Sequence, residues 1–354
     1  MRILQLIDSL DAGGAERIAV NYANSLTQKV SFSGLVTTRK EGVLKTEILQ
    51  GVSYLFLERK NKIDFKAISI LKKFILENKV DIVHAHGTSY FLGFVIKLLL
   101  PKLKLIYHEH NGNRINQSKT ENVILVFCSL FFFRVFTVTP EIELWSIKNL
   151  FCKKVNFIYN FAILNTVEKN LTILQSENSN KIVCLANLRN PKNHLFLLQS
   201  FFELNPVNWT LHLIGKDYLD DYSNNLKKFI VENKLEKSIY IYNDRLDIKH
   251  ILNQAKIGLL CSTYEGFPMS LLEYGLANLA VISSNVGYCK NIITNDENGL
   301  LFQSSNKQDF KTKLSRLIND YTFREKIAKK FNVTVNENYS EKVIITKLLF
   351  YYQK

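Results

Sequence analysis

Short apolar runs alternate with segments of helical periodicity along the whole chain. Ile3 to Ile7, Gly34 to Thr37, Tyr54 to Leu57, Asp81 to His84 and Leu103 to Tyr107 predict strands, and Val135 to Val138 and Asn156 to Tyr159 continue the series. Between them, apolar residues at helical spacing predict helices over Ala15 to Leu26, Phe65 to Leu76, Tyr90 to Leu100 and about Glu121 to Phe133. A repeated strand, helix, strand pattern calls for an α/β architecture with a parallel sheet.

A second series opens after the polar stretch Glu168 to Asn180, which has no periodicity and reads as a linker or an irregular insertion. Lys181 to Leu185, Thr210 to Ile214, Ser238 to Tyr242, Lys256 to Leu260, Ala280 to Ser283 and Leu300 to Phe302 predict strands with helices between them. The expectation is two doubly wound α/β domains in tandem, residues 1–165 and 166–339, with ligands bound in a cleft where strand C-terminal ends gather. The apolar segment Lys342 to Tyr352, inside residues 340–354, is expected to pack back on the first domain.

Composition narrows the class. A chain of 354 residues with 22% charged residues, 14 Gly and 5 Pro can bury two cores, and is neither collagenous nor a disordered tail protein. Cys128, Cys152, Cys184, Cys261 and Cys289 are odd in number and form no Cys-x-x-Cys pair, which excludes a disulfide scaffold and suits a reducing compartment. The first apolar run is broken by Asp8, too early for a signal peptide, and Val123 to Phe133 falls short of the roughly 20 residues that span a bilayer. A cytoplasmic protein is expected, in contact with the inner face of the membrane if its charge is functional.

That charge is +14, and it is uneven: 22 basic against 13 acidic residues in 1–165, and 24 against 19 in 166–354. Clusters such as Lys72/Lys73, Lys102/Lys104 and Lys153/Lys154 admit two readings, an anionic bilayer surface or merely solvated helix faces. The basic residues are not interleaved with aromatics in a nucleic-acid module, so nucleic acid is not an expected partner. Val123 to Phe133 also admits two readings, a buried crossover helix or one that dips a face into lipid.

Three constellations could carry chemistry. Gly13-Gly14 lies between the first strand and helix, where glycines let backbone approach a phosphate or simply make a tight turn; the spacing is not Gly-x-Gly-x-x-Gly. His84/His86 and His108/Glu109/His110 stand at two strand exits without an accompanying Cys or Asp ligand set, so they are not read as a metal site. The third stretch, Ser262 to Glu273, takes Glu265 out of a strand, turns at Gly266-Phe267-Pro268 and carries Glu273 in the second turn of a helix. Two carboxylates spaced in this way can hold hydroxyls at both ends of an elongated ligand, with backbone N–H groups around Pro268 as an anion cradle.

Glu265, seven residues and Glu273, with Gly-Phe-Pro between, resembles the signature of the family 4 retaining glycosyltransferases, glycosyl transferases group 1, of the GT-B fold. The rest of the chain agrees in order: the Gly13-Gly14-Ala-Glu loop, Asp81-Ile-Val-His-Ala-His, the His108 strand exit, Phe157-Ile-Tyr-Asn160, Leu185 to His194, Leu213-Ile-Gly215 and Asn298-Gly-Leu-Leu301. The resemblance implies two Rossmann-like domains facing a cleft, the first on the acceptor side and the second binding a nucleotide sugar.

It also implies roles. Glu273 would bond the donor ribose and Glu265 a hydroxyl of the sugar. Lys192 would neutralise the diphosphate, and the backbone of Gly266, Phe267, Pro268, Met269 and Ser270 would hold sugar and phosphates. Gly13 and Gly14 would close over the leaving group, and His108 would sit beside the transferred sugar, making His108, Glu265 and Lys192 the catalytic set. Asn187 stands where the family has an arginine, with Arg189 two positions on, and Lys290 stands where the family often has a further glutamate. No Asp-x-Asp motif is present and Asp220-Asp221 reads as solvated, so neither a metal nor another cofactor is expected. The implied function is metal-independent, retaining transfer from a UDP- or GDP-sugar to a glycan or lipid-linked glycan in surface polysaccharide biosynthesis. A nucleotide-sugar epimerase, a sugar phosphorylase or a non-catalytic glycan- or nucleotide-binding relative remains the alternative.

Overall fold

The computed structural model describes residues 1–11, 13–164, 171–176 and 180–354. The expected domain boundary at 165/166 and residues 168–170 and 177–179 of the predicted linker Glu168 to Asn180 lie outside the described residues. Two compact units are present: Met1–Phe161 with Glu341–Lys354, and Ala162–Ser340.

In the first unit, β1 (Arg2–Ser9), α1 (Gly14–Leu26), β2 (Phe32–Lys40), β3 (Ser53–Phe56), α2 (Phe65–Glu77), β4 (Ile82–His86), α3 (Tyr90–Leu99), β5 (Lys104–Glu109), α4 (Val123–Cys128), β6 (Arg134–Thr137), α5 (Pro140–Asn149) and β7 (Val155–Phe157) follow in sequence. The sheet is parallel, in the order β3-β2-β1-β4-β5-β6-β7. Because alternate residues of a strand point to opposite faces, Leu4, Leu6, Val83, Ala85, Leu105 and Tyr107 share one face and pack in the core that α2, α3 and α4 cover. Gln5, His84, His86, His108 and Phe136 share the other.

The second unit contains β8 (Asn180–Leu185), α6 (His194–Leu204), β9 (Trp209–Ile214), α7 (Asp221–Glu232), β10 (Ile239–Tyr242), α8 (Ile248–Leu252), β11 (Ile257–Leu260), α9 (Met269–Leu276), β12 (Ala280–Ser284), α10 (Cys289–Ile292), β13 (Leu300–Phe302), α11 (Lys307–Asn319) and α12 (Tyr321–Asn338). Its parallel order, β10-β9-β8-β11-β12-β13, repeats that of the first unit. The last helix, α13 (Glu341–Gln353), belongs to the first unit and contacts α1 there. It buries Ile344, Ile345, Leu348 and Tyr352.

Two elements differ from the sequence reading. The helix expected over Glu121 to Phe133 is α-helical only over Val123–Cys128, flanked by 3-10 turns at Thr120–Asn122 and Ser129–Phe131. Ser129 ends it: its hydroxyl donates to Val126 O at 2.6 Å and accepts from Phe151 N at 2.8 Å, which ties the chain to the segment between α5 and β7. Helix α5 escapes a search for apolar periodicity, yet its start is spelled out chemically. Thr139 caps it by accepting from Ile142 N, Pro140 fits the first turn, and Glu141 and Glu143 complement the helix dipole.

Candidate functional site

In the second unit the strand order reverses between β8 and β11, and an open α/β sheet offers its ligand crevice at that reversal. The loop after β8 carries Asn187, Arg189 and the 3-10 turn Asn190–Lys192, and the loop after β11 carries Ser262, Glu265 and Gly266. The two loops are stitched together: Thr263 N donates to Pro191 O at 2.8 Å and the Cys261 thiol donates to Lys192 O at 3.1 Å. The stitching sets Lys192 Nζ 2.6 Å from Glu265 Oε1, which also accepts from Ser262 Oγ at 2.6 Å. Glu265 is only 8% exposed, so this is a charge-assisted pair held largely out of water.

Behind Glu265 the chain from β12 comes very close. Gly287 has φ +50°, and a β-carbon there would stand 1.7 Å from Glu265 O. Only glycine fits, and its neighbour Tyr288 donates its N–H to Gly266 O at 3.3 Å while stacking on Phe267. Helix α9 then starts at Met269 with no side-chain cap, and the N–H groups of Met269 and Ser270 have no acceptor among the described residues. Those two donors and the helix dipole suit an anion. Glu273, one turn on, is as buried as Glu265.

Asn187 has a structural role. Its Oδ1 accepts from Lys216 N at 3.0 Å, tying the β8 exit to the β9 exit, where Gly215 leaves no room for a side chain beside Ala186 O. Arg189 is exposed, and its side chain has no partner among the described residues. Asp220 caps α7 by accepting from Ser223 N at 3.0 Å, and Asp221 is exposed on the same helix.

The first unit reverses its strand order between β1 and β4. At that end Asp8 gathers four partners: Thr38 Oγ1 at 2.5 Å, Thr88 Oγ1 at 2.6 Å, Arg59 Nη2 at 3.1 Å and Arg39 Nε at 3.9 Å. Gly13 caps α1, and the N–H groups of Gly14 and Ala15 have no acceptor among the described residues. The close approach at Gly13 is to Glu16, whose Oε2 would stand 2.1 Å from a β-carbon there. Burial raises the Glu16 carboxyl above its ordinary range.

Four histidines form a stack on the α1 and α13 side of the sheet. Centroids of His84 and His108 are 5.2 Å apart at 11°, His84 and His86 4.5 Å apart at 21°, and His108 and His110 4.1 Å apart at 30°. Gln5 Oε1 lies 2.9 Å from His86 Nε2; an amide oxygen only accepts, so His86 carries its proton there. His86 Nδ1 therefore accepts from His110 Nε2 at 3.0 Å, which leaves His110 Nδ1 as a lone pair at the half-exposed end of the stack. His84 Nδ1 lies 2.6 Å from the Tyr352 hydroxyl of α13. Burial lowers the pKa of all four, that of His110 to about 3, so all are neutral at pH 7.

His108 is buried: it is 0% exposed, and neither ring nitrogen has a partner among the described residues. His110, on the same face and two residues nearer the loops, is only partly buried. Glu109 lies on the opposite face, accepting from Tyr107 at 2.8 Å and paired with Arg114 at 2.5 Å, and so does not join the histidines. Nitrogens of His84, His86 and His108 come within 4.8 Å of one another. Their rings also pack against one another, at interplanar angles of 11° to 32°. Asp8, Glu16, Thr88 and Ser262 are further polar residues at strand exits that the sequence reading did not single out.

A cavity of about 880 Å³ opens at the other end of the first sheet, among Ile75, Leu76, Lys79, Leu99, Lys102 and Tyr352. It lies at the N-terminal ends of β4 and β5, away from the strand exits, and is not the ligand crevice of such a sheet.

The sequence model for "Glycosyltransferase Family 4" matches residues 12–162 and that for "Glycosyl transferases group 1" matches residues 168–332. The capsular polysaccharide biosynthesis glycosyltransferase CapH of Staphylococcus aureus is 24% identical over 96% of this chain and 94% of its own. The UDP-Gal:alpha-D-GlcNAc-diphosphoundecaprenol alpha-1,3-galactosyltransferase of Escherichia coli is 26% identical over 76% of each chain. Among solved structures, Anabaena HepE in complex with UDP and glucose superposes with a TM-score of 0.83 at 17% identity, covering 100% of this chain and 99% of that one. That likeness shows the fold, two parallel-sheet α/β domains of GT-B type.

Proposed function

The chain belongs to glycosyltransferase family 4, and from that premise we propose that it moves a sugar from UDP-sugar to a lipid-diphosphate-linked glycan during surface polysaccharide assembly, with retention of anomeric configuration. The observation that carries the donor half is the Lys192–Glu265 pair at the β8/β11 reversal, under the uncapped start of α9 and one turn from buried Glu273. A uridine donor is preferred over a guanosine one because a relative's name specifies UDP-Gal and HepE holds UDP. The acceptor class rests on the diphosphoundecaprenol in the same relative's name. The cytoplasmic face of the membrane follows as the place where such an acceptor would be met.

In this reading Lys192 turns from Glu265 to the donor diphosphate, joined by the N–H groups of Met269 and Ser270, while Arg189 swings in from solvent to serve where the family uses an arginine. Glu265, released, takes a sugar hydroxyl, and Glu273 takes the ribose. His110 replaces His108 beside the sugar, a neutral ring whose Nδ1 can accept from a sugar hydroxyl. The bond from the anomeric carbon to the phosphate oxygen breaks, the acceptor oxygen bonds to that carbon from the same side, and its proton goes to the leaving diphosphate. Stabilising the growing charge on that diphosphate is the main catalytic contribution, and preorganised donors do this without reorganisation. A lysine and backbone N–H groups supply the positive field, so the reaction needs no divalent ion.

A thermal-shift series with UDP, GDP and ADP tests the donor assignment. UDP at about 100 times its dissociation constant should stabilise the protein by about 2.7 kcal/mol. Stabilisation by none of the three overturns the donor site, and full activity in a chelator is the expected result for a metal-free reaction. The anomeric proton of the product, read by NMR, decides retention against inversion.

A further inference from the structure

Among the described residues of the first unit, large apolar side chains are concentrated in water along one stretch of chain. Val123, Ile124, Phe127 and Leu130 each leave more than half of their surface exposed. Their spacing puts them on the outer side of α4 and the turn that follows it, opposite the buried Leu125, Val126 and Cys128. Leu144 and Ile147, one turn apart on α5, and Phe151 just beyond its end are exposed to the same degree. The two stretches are tied together where Phe151 N donates to Ser129 Oγ at 2.8 Å, one residue before Leu130. Phe127 also meets Phe94 of α3 edge-on, four residues before the half-exposed Leu98. A soluble surface rarely leaves so many large apolar groups together without a partner.

The surroundings identify the partner. Lys119 sits over the Phe151 ring at 4.9 Å, and Lys104 and Lys154 both sit over the Phe133 ring at 4.4 Å. Lys102, Lys148 and Lys153 are exposed nearby in sequence and fold. Against these lysines stand four glutamates, of which Glu109 is paired with Arg114, Glu121 accepts from Ser118, Glu143 accepts from Phe157 N and Glu141 is exposed. An apolar centre with a basic rim matches a bilayer of anionic lipid, whose acyl boundary takes the one and whose headgroups take the other. A second copy of the chain is a poorer match, since self-association would set the same lysines against one another.

We propose that the outer faces of α4 and α5, with Phe151, insert into the interface of an anionic membrane, and that the surrounding lysines hold them there. No helix among the described residues is long and apolar enough to cross a bilayer, so this contact is a peripheral one. The inference deepens the lipid-linked acceptor reading by naming the surface that would meet the lipid, but it stands on that surface alone.

The test is flotation of the full chain with vesicles of phosphatidylcholine alone and of equimolar phosphatidylcholine and phosphatidylglycerol. The protein should float with the anionic vesicles only. The triple variant Ile124→Gln/Leu144→Gln/Ile147→Gln should lower that binding by at least about tenfold, with its melting curve and nucleotide thermal shift unchanged. Lys148→Glu/Lys153→Glu should weaken it by a similar factor and flatten its salt dependence. The proposal is overturned if the wild type floats with neither vesicle, if the triple variant floats as well as the wild type, or if the wild type is a dimer that the triple variant makes monomeric. Flotation uses no sugar donor, so failure of the transferase reading and failure of this one are separately visible.

Discussion

Lys192 and Glu265 answer to each other before they answer to any ligand. Lys192→Gln keeps a hydrogen bond to Glu265 while removing the charge, and Glu273→Ala removes the second buried carboxylate. Each should lower kcat/KM by about 10²- to 10³-fold, the order expected when one donor to developing charge is lost. The check is steady-state transfer of labelled sugar, with circular dichroism to show an unchanged fold; near-normal turnover in both would remove the site assignment. Gly287→Ala acts through the backbone instead. A β-carbon cannot stand 1.7 Å from Glu265 O, so the Glu265 loop must move. Nucleotide affinity should fall by at least about tenfold although residue 287 itself carries no side chain to lose. The sequence named Glu265, Glu273 and Lys192 because their types and spacing are local facts. It did not separate buried His108 from partly buried His110, because which of them clears the sheet depends on where β5 ends.

At the scale of elements, α13 is the piece with the longest reach. Its Tyr352 bonds His84 across 268 residues of sequence, and Ile344, Ile345 and Leu348 are fully buried beside it. Four such side chains at about 1.5–3 kcal/mol each rival the whole stability of a typical domain, about 5–15 kcal/mol. Ending the chain at residue 340 should therefore unfold the first unit, seen as loss of cooperative melting and of soluble protein. Tyr352→Phe, which keeps the ring and drops one hydrogen bond, should cost only about 1 kcal/mol by urea titration. The apolar pattern of Lys342 to Tyr352 marked a helix, and α5 shows the converse case, a helix whose capping chemistry is plainer than its periodicity. The length of α4 was not legible, because Ser129 stops it through a contact with Phe151 that no local window contains.

For the whole molecule, the histidine stack makes a statement about pH. His84, His86, His108 and His110 all have folded pKa values below the unfolded value of about 6.5, because burial penalises the charged ring. Below that value the unfolded chain binds protons that the folded one refuses, so stability is complete above about pH 6.5 and falls as the pH drops beneath it. The slope is about 1.4 kcal/mol per pH unit for each such histidine. Between pH 6.5 and 5 the first unit should lose several kcal/mol, measured by urea titration with a probe in that unit. His108→Leu should take about one proton out of the slope. A flat profile over that range would mean that the rings are not buried as described.

The sequence alone determined the two parallel-sheet units, the strand exits where polar residues gather, the family and the spacing of the glutamate pair, because hydrophobic period, turn residues and short motifs are properties of neighbours along the chain. Only the tertiary structure decided that Lys192 meets Glu265, that Asn187 ties two loops together, that His108 is sealed while His110 is not, and that α4 and α5 leave a basic-rimmed apolar face in water. Each of these depends on distance and burial between segments far apart in sequence, which no local pattern records.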